Sequence, residues 1–320
     1  MATTDRAFQQ STPDGDIGMN SLDANPISRR DAIAGTTAAV IGTLAADPAR
    51  GDEKAPRVLV VVGPSKHPPG THEVAAGGRL LKHCLDAAGL KAEVVTDWPK
   101  DAGKDFADVA SVAFIGDLFP PEVMPDRDRI MEDLGAMTKR GCGIVCLHYA
   151  TGLEAKHVSA EGDHPLLHWT GGYFATRCNH HKSVARVFAE ATIEPAKGEH
   201  PVLRGWKAFT VHDEPYINNF FGKDGPAKNV TVLATAMLPP EKPNRETVAW
   251  AAERADGGRG AGIVMPHFYR NWANDDLRTL ILNAVVWSAK QEVPKDGVKV
   301  KLPELATFKP DAVEPPPRKK

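Results

Sequence analysis

Cysteine is scarce in this chain and badly spaced for redox or zinc chemistry. The four cysteines form no Cys-x-x-Cys pair and no Cys/His zinc spacing, which excludes a thioredoxin-type couple or a zinc finger. Cys84, Cys142 and Cys146 fall in apolar-periodic segments, where a thiol is ordinarily buried. No charge of one sign is in excess. The 39 basic and 41 acidic residues leave a formal net charge of -2, so no basic field exists to hold a nucleic acid. Phosphate-cradling glycine motifs are also missing. No Gly-x-Gly-x-x-Gly follows the first predicted strand and no P-loop lysine occurs, so no nucleotide cofactor is expected. What remains is ordinary globular composition, 42% hydrophobic and 25% charged, sufficient for one large core and suited to a small, weakly charged ligand. Nothing in the composition decides for or against self-association.

Three segments are expected. Residues 1–49 read as a leader: a polar stretch, then Ser28-Arg29-Arg30-Asp31 before the Ala/Gly-rich run Ala32 to Ala46, like a twin-arginine export signal. That run is too short and weakly apolar to span a bilayer, so no stable membrane span is expected once the signal is removed, and the destination is the periplasm or beyond. Residues 50–294 form the folded domain, and 295–320 a Pro/Lys-rich tail.

The domain begins with RVLVVVG, Arg57 to Gly63, a β-branched run of the kind buried on both faces of a parallel sheet. Thr71 is placed to cap a helix with apolar positions 74, 77, 81, 84 and 88, ended by Gly89. Strands are expected at Ala92 to Thr96, Val109 to Gly116 and Gly143 to Leu147, with a helix over Asp126 to Arg140. Alternating strand and helix predicts an α/β fold: a doubly wound, mostly parallel sheet with helices on both faces, of the flavodoxin type. Leu153 to His181 carries histidines and glycines without periodicity and reads as a long loop over the sheet edge. Ser183 to Ile193, Ala208 to Val211, Asn229 to Met237 and Thr247 to Glu253 read as an antiparallel or mixed half. Gly260 to Met265 is the last strand, and Asn274 caps the final helix.

In such sheets ligands bind outside the carboxyl ends of the strands. Three motifs fall there: His67 to Glu73 after the first strand, His148-Tyr149 after the fourth, and His267 to Trp272 after the last. The densest group of proton-moving side chains is His212-Asp213-Glu214-Pro215-Tyr216, and for a site to exist it must meet them. Strand alternation points Asp213 and Glu214 to opposite sides, so only one faces the crevice. The donors His67, His72, His148, Asp213, Glu214 and His267 suffice for a divalent metal, yet no pair shows the helical His-x-x-x-His spacing of a zinc motif, so a metal stays open. His83, on a polar helix face, and His157, in a polar loop, are read as surface or structural residues without a catalytic role, and His180-His181 has no assignment. Cys146 lies two residues before its strand ends, off the exposed turn where an elbow nucleophile would sit, so thiol catalysis is not expected.

Together the RVLVVVG strand, GCGIVCLHYATG, His200-Pro201, Asp213-Glu214-x-Tyr216, Val248-Ala249-Trp250 and the closing strand ending in His267 resemble the trehalose-utilisation (ThuA-like) family over about residues 56 to 294. The resemblance implies a glutamine amidotransferase-like fold without the catalytic cysteine. It also implies a role in disaccharide or glycoside catabolism, on sugars oxidised to a 3-keto form. Carried over residue by residue, the acidic pair falls on Asp213 and Glu214, the aromatic on Tyr216 and the terminal histidine on His267. Where the family commonly ends this strand Gly-His, this chain has Pro266-His267 and lacks one backbone donor. On that reading Glu214 or Asp213 is the base, His148 or His267 the acid, and Tyr216 and Trp272 contact the sugar, with His67, His72 and Tyr149 lining the site. The alternative is a non-catalytic carbohydrate-binding or scaffolding protein of the same fold; an ester or amide hydrolase lacks a nucleophile.

Overall fold

The computed structural model describes residues 55–100 and 105–317. The leader with its expected export signal lies outside the described residues.

A nine-stranded sheet carries the fold, in the order β2-β1-β3-β4-β11-β10-β9-β7-β8. Its first half comprises β1 (Arg57–Val62), β2 (Lys91–Val95), β3 (Val109–Ile115), β4 (Gly143–Leu147) and β11 (Arg259–Ile263), all paired in parallel. From β11 outward, β10 (Asn244–Glu253), β9 (Val230–Leu238), β7 (Phe188–Pro195) and β8 (Phe209–Asp213) pair antiparallel. A helix lies between β1 and β2 and between β3 and β4, as parallel pairing requires, whereas β9, β10 and β11 follow one another through short turns that suit antiparallel pairing.

Alternation along β1 shows how both sheet faces are covered. Val58, Val60 and Val62 enter one core with α1 (Val74–Ala87) and the last helix, Asp275–Ser288; Leu59 and Val61 enter the other with α2 (Arg127–Lys139). Gly78 is required where α1 crosses the sheet, since a Cβ there would stand 2.6 Å from Val62 Cγ2. Thr71 does not cap α1; its hydroxyl donates to the Pro68 carbonyl, and Glu73 holds the N-cap position.

The segment expected as one loop, 153 to 181, contains short elements: β5 (Gly152–Glu154) paired in parallel with β6 (Phe174–Thr176), and the helix α3 (Pro165–Thr170). Three to six residues are too few for periodicity to register. The final helix, α4 (Asp275–Ser288), is capped by Asn274, whose side chain accepts from the backbone N–H of Asp276 and Leu277. Beyond it, Val293, Val298 and Phe308 are buried, and Arg79 of α1 donates to the carbonyls of Phe308 and Lys309. The Glu73 carboxylate accepts from the N–H groups of Gly70, Asp311 and Ala312, so the tail is tied to the loop after β1. No helix among the described residues is long and apolar enough to cross a membrane.

Candidate functional site

Four adjacent parallel strands, β1, β3, β4 and β11, end side by side, and each delivers an ionisable group there. His72 follows β1, Asp117 follows β3, His148 follows β4 and His267 follows β11. His148 occupies the turn immediately after β4 with a left-handed backbone, φ 48°. Such a conformation is costly for a residue with a Cβ and persists where the surroundings over-determine it. The strand-to-helix elbow is therefore built, with an imidazole where a nucleophile would stand. Cys146 is buried two residues earlier within β4, and its thiol is pushed far up by burial. The other three cysteines are buried as well.

The three imidazoles converge. His72 Nε2 lies 2.9 Å from His148 Nε2 and 2.9 Å from His267 Nδ1, and the last two are 3.2 Å apart. Glu214 joins them, with Oε2 3.3 Å from His267 Nδ1 and 3.9 Å from His148 Nε2. His72, with a side chain only 2% exposed, is bonded through Nδ1 to Asp117 Oδ1 at 2.5 Å. The second oxygen of Asp117 meets His67 Nδ1 at 2.8 Å, and the His67 ring stacks on His72 at 3.6 Å. Asp117 was not singled out from the sequence. A lone aspartate after Gly116 carries no motif, but the strand-end rule that selected His148 would have selected it too.

Electrostatics keep the imidazoles neutral. Burial, reinforced by the neighbouring rings, pushes His148 well below the usual range and His267 down to about 3. Burial also lowers His72, against the pull of Asp117. Burial and the Asp213 charge raise Glu214 to about 7. At Asp117 burial is opposed and outweighed by the hydrogen bonds from His67 and His72, which hold the carboxyl well below its usual range.

Of the expected residues, Glu214, His148, His267 and His72 come together, with His67 on the rim and Tyr149 half-buried beside it. The acidic pair divides as alternation requires. Asp213 is fully buried and turned away from the imidazoles; its Oδ1 accepts from the backbone N–H of His267 at 2.8 Å and of Phe268 at 3.1 Å. It anchors the His267 loop and does not reach the crevice as a base. Tyr216 is 1% exposed, stacked between His148 and Phe174, with its hydroxyl 3.0 Å from His148 Nε2. It orients His148 and offers no face to a sugar. Trp272, 4% exposed, packs beside Gly77 of α1 and is likewise core. His180 meets the Tyr173 hydroxyl and His181 the Asn218 carbonyl, both away from the cluster. His200 caps a short turn and packs on Trp287.

Fold and site together define an α/β protein with a largely parallel sheet whose fourth strand ends in a histidine-bearing elbow. The family model for trehalose utilisation (ThuA) matches residues 57–288, and the chain belongs to that family. A ThuA-like protein from Bacteroides uniformis ATCC 8492 is similar at 16% identity with a TM-score of 0.55, over 77% of this chain and 97% of that one. A glutamine amidotransferase from Thermotoga maritima aligns over 74% of this chain and 97% of its own at 9% identity and a TM-score of 0.41. Agd3, a carbohydrate deacetylase, aligns over 74% of this chain and 32% of its own at 11% identity and a TM-score of 0.46. Comparison with curated proteins gives no significant match.

Proposed function

We propose that this chain is a carbohydrate-active enzyme that cleaves a glycosidic bond in a 3-keto disaccharide or glycoside by acid/base elimination followed by hydration. The observation that carries the reading is the meeting of Glu214 with three neutral imidazoles at the parallel strand ends, where no nucleophile is placed. The family supplies the carbohydrate context.

The chemistry suits these groups. A ketone at C3 acidifies the C2–H bond, so a carboxylate can take that proton while the bonding pair moves into an enolate. Collapse of the enolate expels the C1 substituent, whose oxygen takes the proton that the carboxylate removed from C2. Water then adds across the C1–C2 double bond, its oxygen to C1 and a proton to C2, and the sum is hydrolysis. Glu214 is assigned as the base, since Asp213 is turned away. Burial leaves His148 and His267 unprotonated, so neither is assigned as the acid; they form the buried floor of the site beside Glu214. His67, with its side chain one-third exposed, and Tyr149 stand where a sugar would enter.

Turnover of a panel of 3-keto-glycosides by the wild type and by Glu214→Gln tests the reading. A loss of about 10²-fold or more in kcat is expected for removal of a general base. Unchanged turnover removes Glu214 from the mechanism, and saccharide binding without any turnover would make the protein a carbohydrate-binding one. Export by the twin-arginine route belongs to the same proposal and rests on Arg29-Arg30 and the run that follows; retention of an Arg29→Lys/Arg30→Lys variant in the cytoplasm is its check.

A further inference from the structure

We propose that His72, His148 and His267 bind a divalent first-row transition-metal ion, with Glu214 on its open side and Asp117 fixing the ligand His72 from behind. The argument is one of tautomers. The Val264 carbonyl can only accept, so at 3.1 Å His148 Nδ1 must be the protonated nitrogen and Nε2 bears a lone pair. His72 Nδ1 donates to Asp117 Oδ1, so His72 Nε2 also bears a lone pair. These two lone pairs face each other at 2.9 Å in a buried site. A proton on His267 Nδ1 can serve one of them, and the Tyr216 hydroxyl can serve the other. Even that best arrangement leaves the direct contact between two acceptors unrelieved. A cation between them relieves it and takes the His267 lone pair as well.

The spacing fits such an ion. Ligand atoms about 2.0–2.1 Å from a common ion lie about 3.0 Å apart at right angles and about 3.4 Å apart at the tetrahedral angle. The three nitrogens are 2.9, 2.9 and 3.2 Å apart, and Glu214 Oε2 is 3.3 Å from the nearest of them. The ring planes of His72 lie 85° and 81° from those of His148 and His267, so in-plane lone pairs can meet at one point. Three imidazoles select zinc, cobalt, nickel or iron over magnesium and calcium. A carboxylate behind one ligand and a carbonyl behind another are the supports that fix metal-binding histidines. Binding does not depend on the carbohydrate reading; the ion's role does rest on it, as the charge that stabilises the enolate oxygen while Glu214 takes the proton.

The test is metal content and Co²⁺ spectroscopy on the full chain, stripped with chelator and reloaded with Zn²⁺ or Co²⁺. One ion per chain is expected, with visible d–d absorption from bound Co²⁺. The content should fall to background in His148→Ala and stay unchanged in His168→Ala, whose exposed imidazole pairs with Asp163. Asp117→Asn should fold and bind roughly 10- to 100-fold more weakly. Should His148→Ala fail to fold, the Co²⁺ spectrum of the wild type and the affinity of Asp117→Asn decide. No retained ion in the wild type, or equal affinity in Asp117→Asn and wild type, overturns the proposal. An ion bound without turnover of any keto-glycoside leaves this inference standing and removes the carbohydrate reading; turnover in chelator with no ion bound does the reverse.

Discussion

Asp213 separates an anchoring role from a catalytic one, because the two predict opposite behaviour for Asn and Ala. Its Oδ1 accepts two backbone N–H groups, from His267 and Phe268, while Oδ2 is buried without a partner. Asp213→Ala leaves two buried donors unsatisfied, at about 1–3 kcal/mol each. It also removes the unpartnered oxygen, which recovers about 1–3 kcal/mol. The net loss is therefore about 1–3 kcal/mol. Asp213→Asn keeps the accepting oxygen, loses the charge that burial disfavours, and should cost at most about 1 kcal/mol. Urea unfolding in chelator, so that no bound ion adds to stability, reads the difference. With an m-value of about 3 kcal/mol/M, the midpoint of the Ala variant should fall by roughly 0.7 M and that of the Asn variant by half of this or less. Turnover should survive in Asp213→Asn. Equal midpoints for Ala and wild type, or inactivity of a stable Asn variant, would refute the anchoring argument.

Two further expectations concern groups outside the site. Glu122 is buried between His164 and Arg127; burial opposes its charge, but these two hydrogen bonds outweigh that and hold the carboxyl at about 2. Because the folded value is depressed, its contribution is present above about pH 4.5 and is lost as pH falls toward 2. Glu122→Gln should therefore cost about 1.5–3 kcal/mol at pH 7 and flatten the stability curve across that acid window, as followed by thermal melts. For the buried thiols, native protein should not react with a disulfide reagent on a time of minutes, while all four cysteines react in denaturant. Rapid labelling of native Cys146 would contradict its placement inside the sheet.

Much of the frame was written locally. β1, β3 and β4 are near-continuous apolar runs, and such runs announce strands buried on both faces whatever surrounds them. The rule that ligands gather at parallel strand ends then located His148 and His267 without any motif. Alternation also determined that Asp213 and Glu214 diverge. Three-residue strands such as β5 and β6 stayed illegible because their pairing is long-range and leaves no period to read.

The sequence by itself determined which side chains reach the sheet edge, because strand type and strand end depend on neighbours along the chain. Only the tertiary structure decided what they do there. That His72 Nε2 meets His148 Nε2, that Asp117 stands behind His72, and that Glu214 faces the cluster while Asp213 holds the His267 loop depend on strand order and on distances between residues 45 to 195 positions apart. Such contacts have no signature along the chain, since the residues that choose a histidine's tautomer lie on other strands.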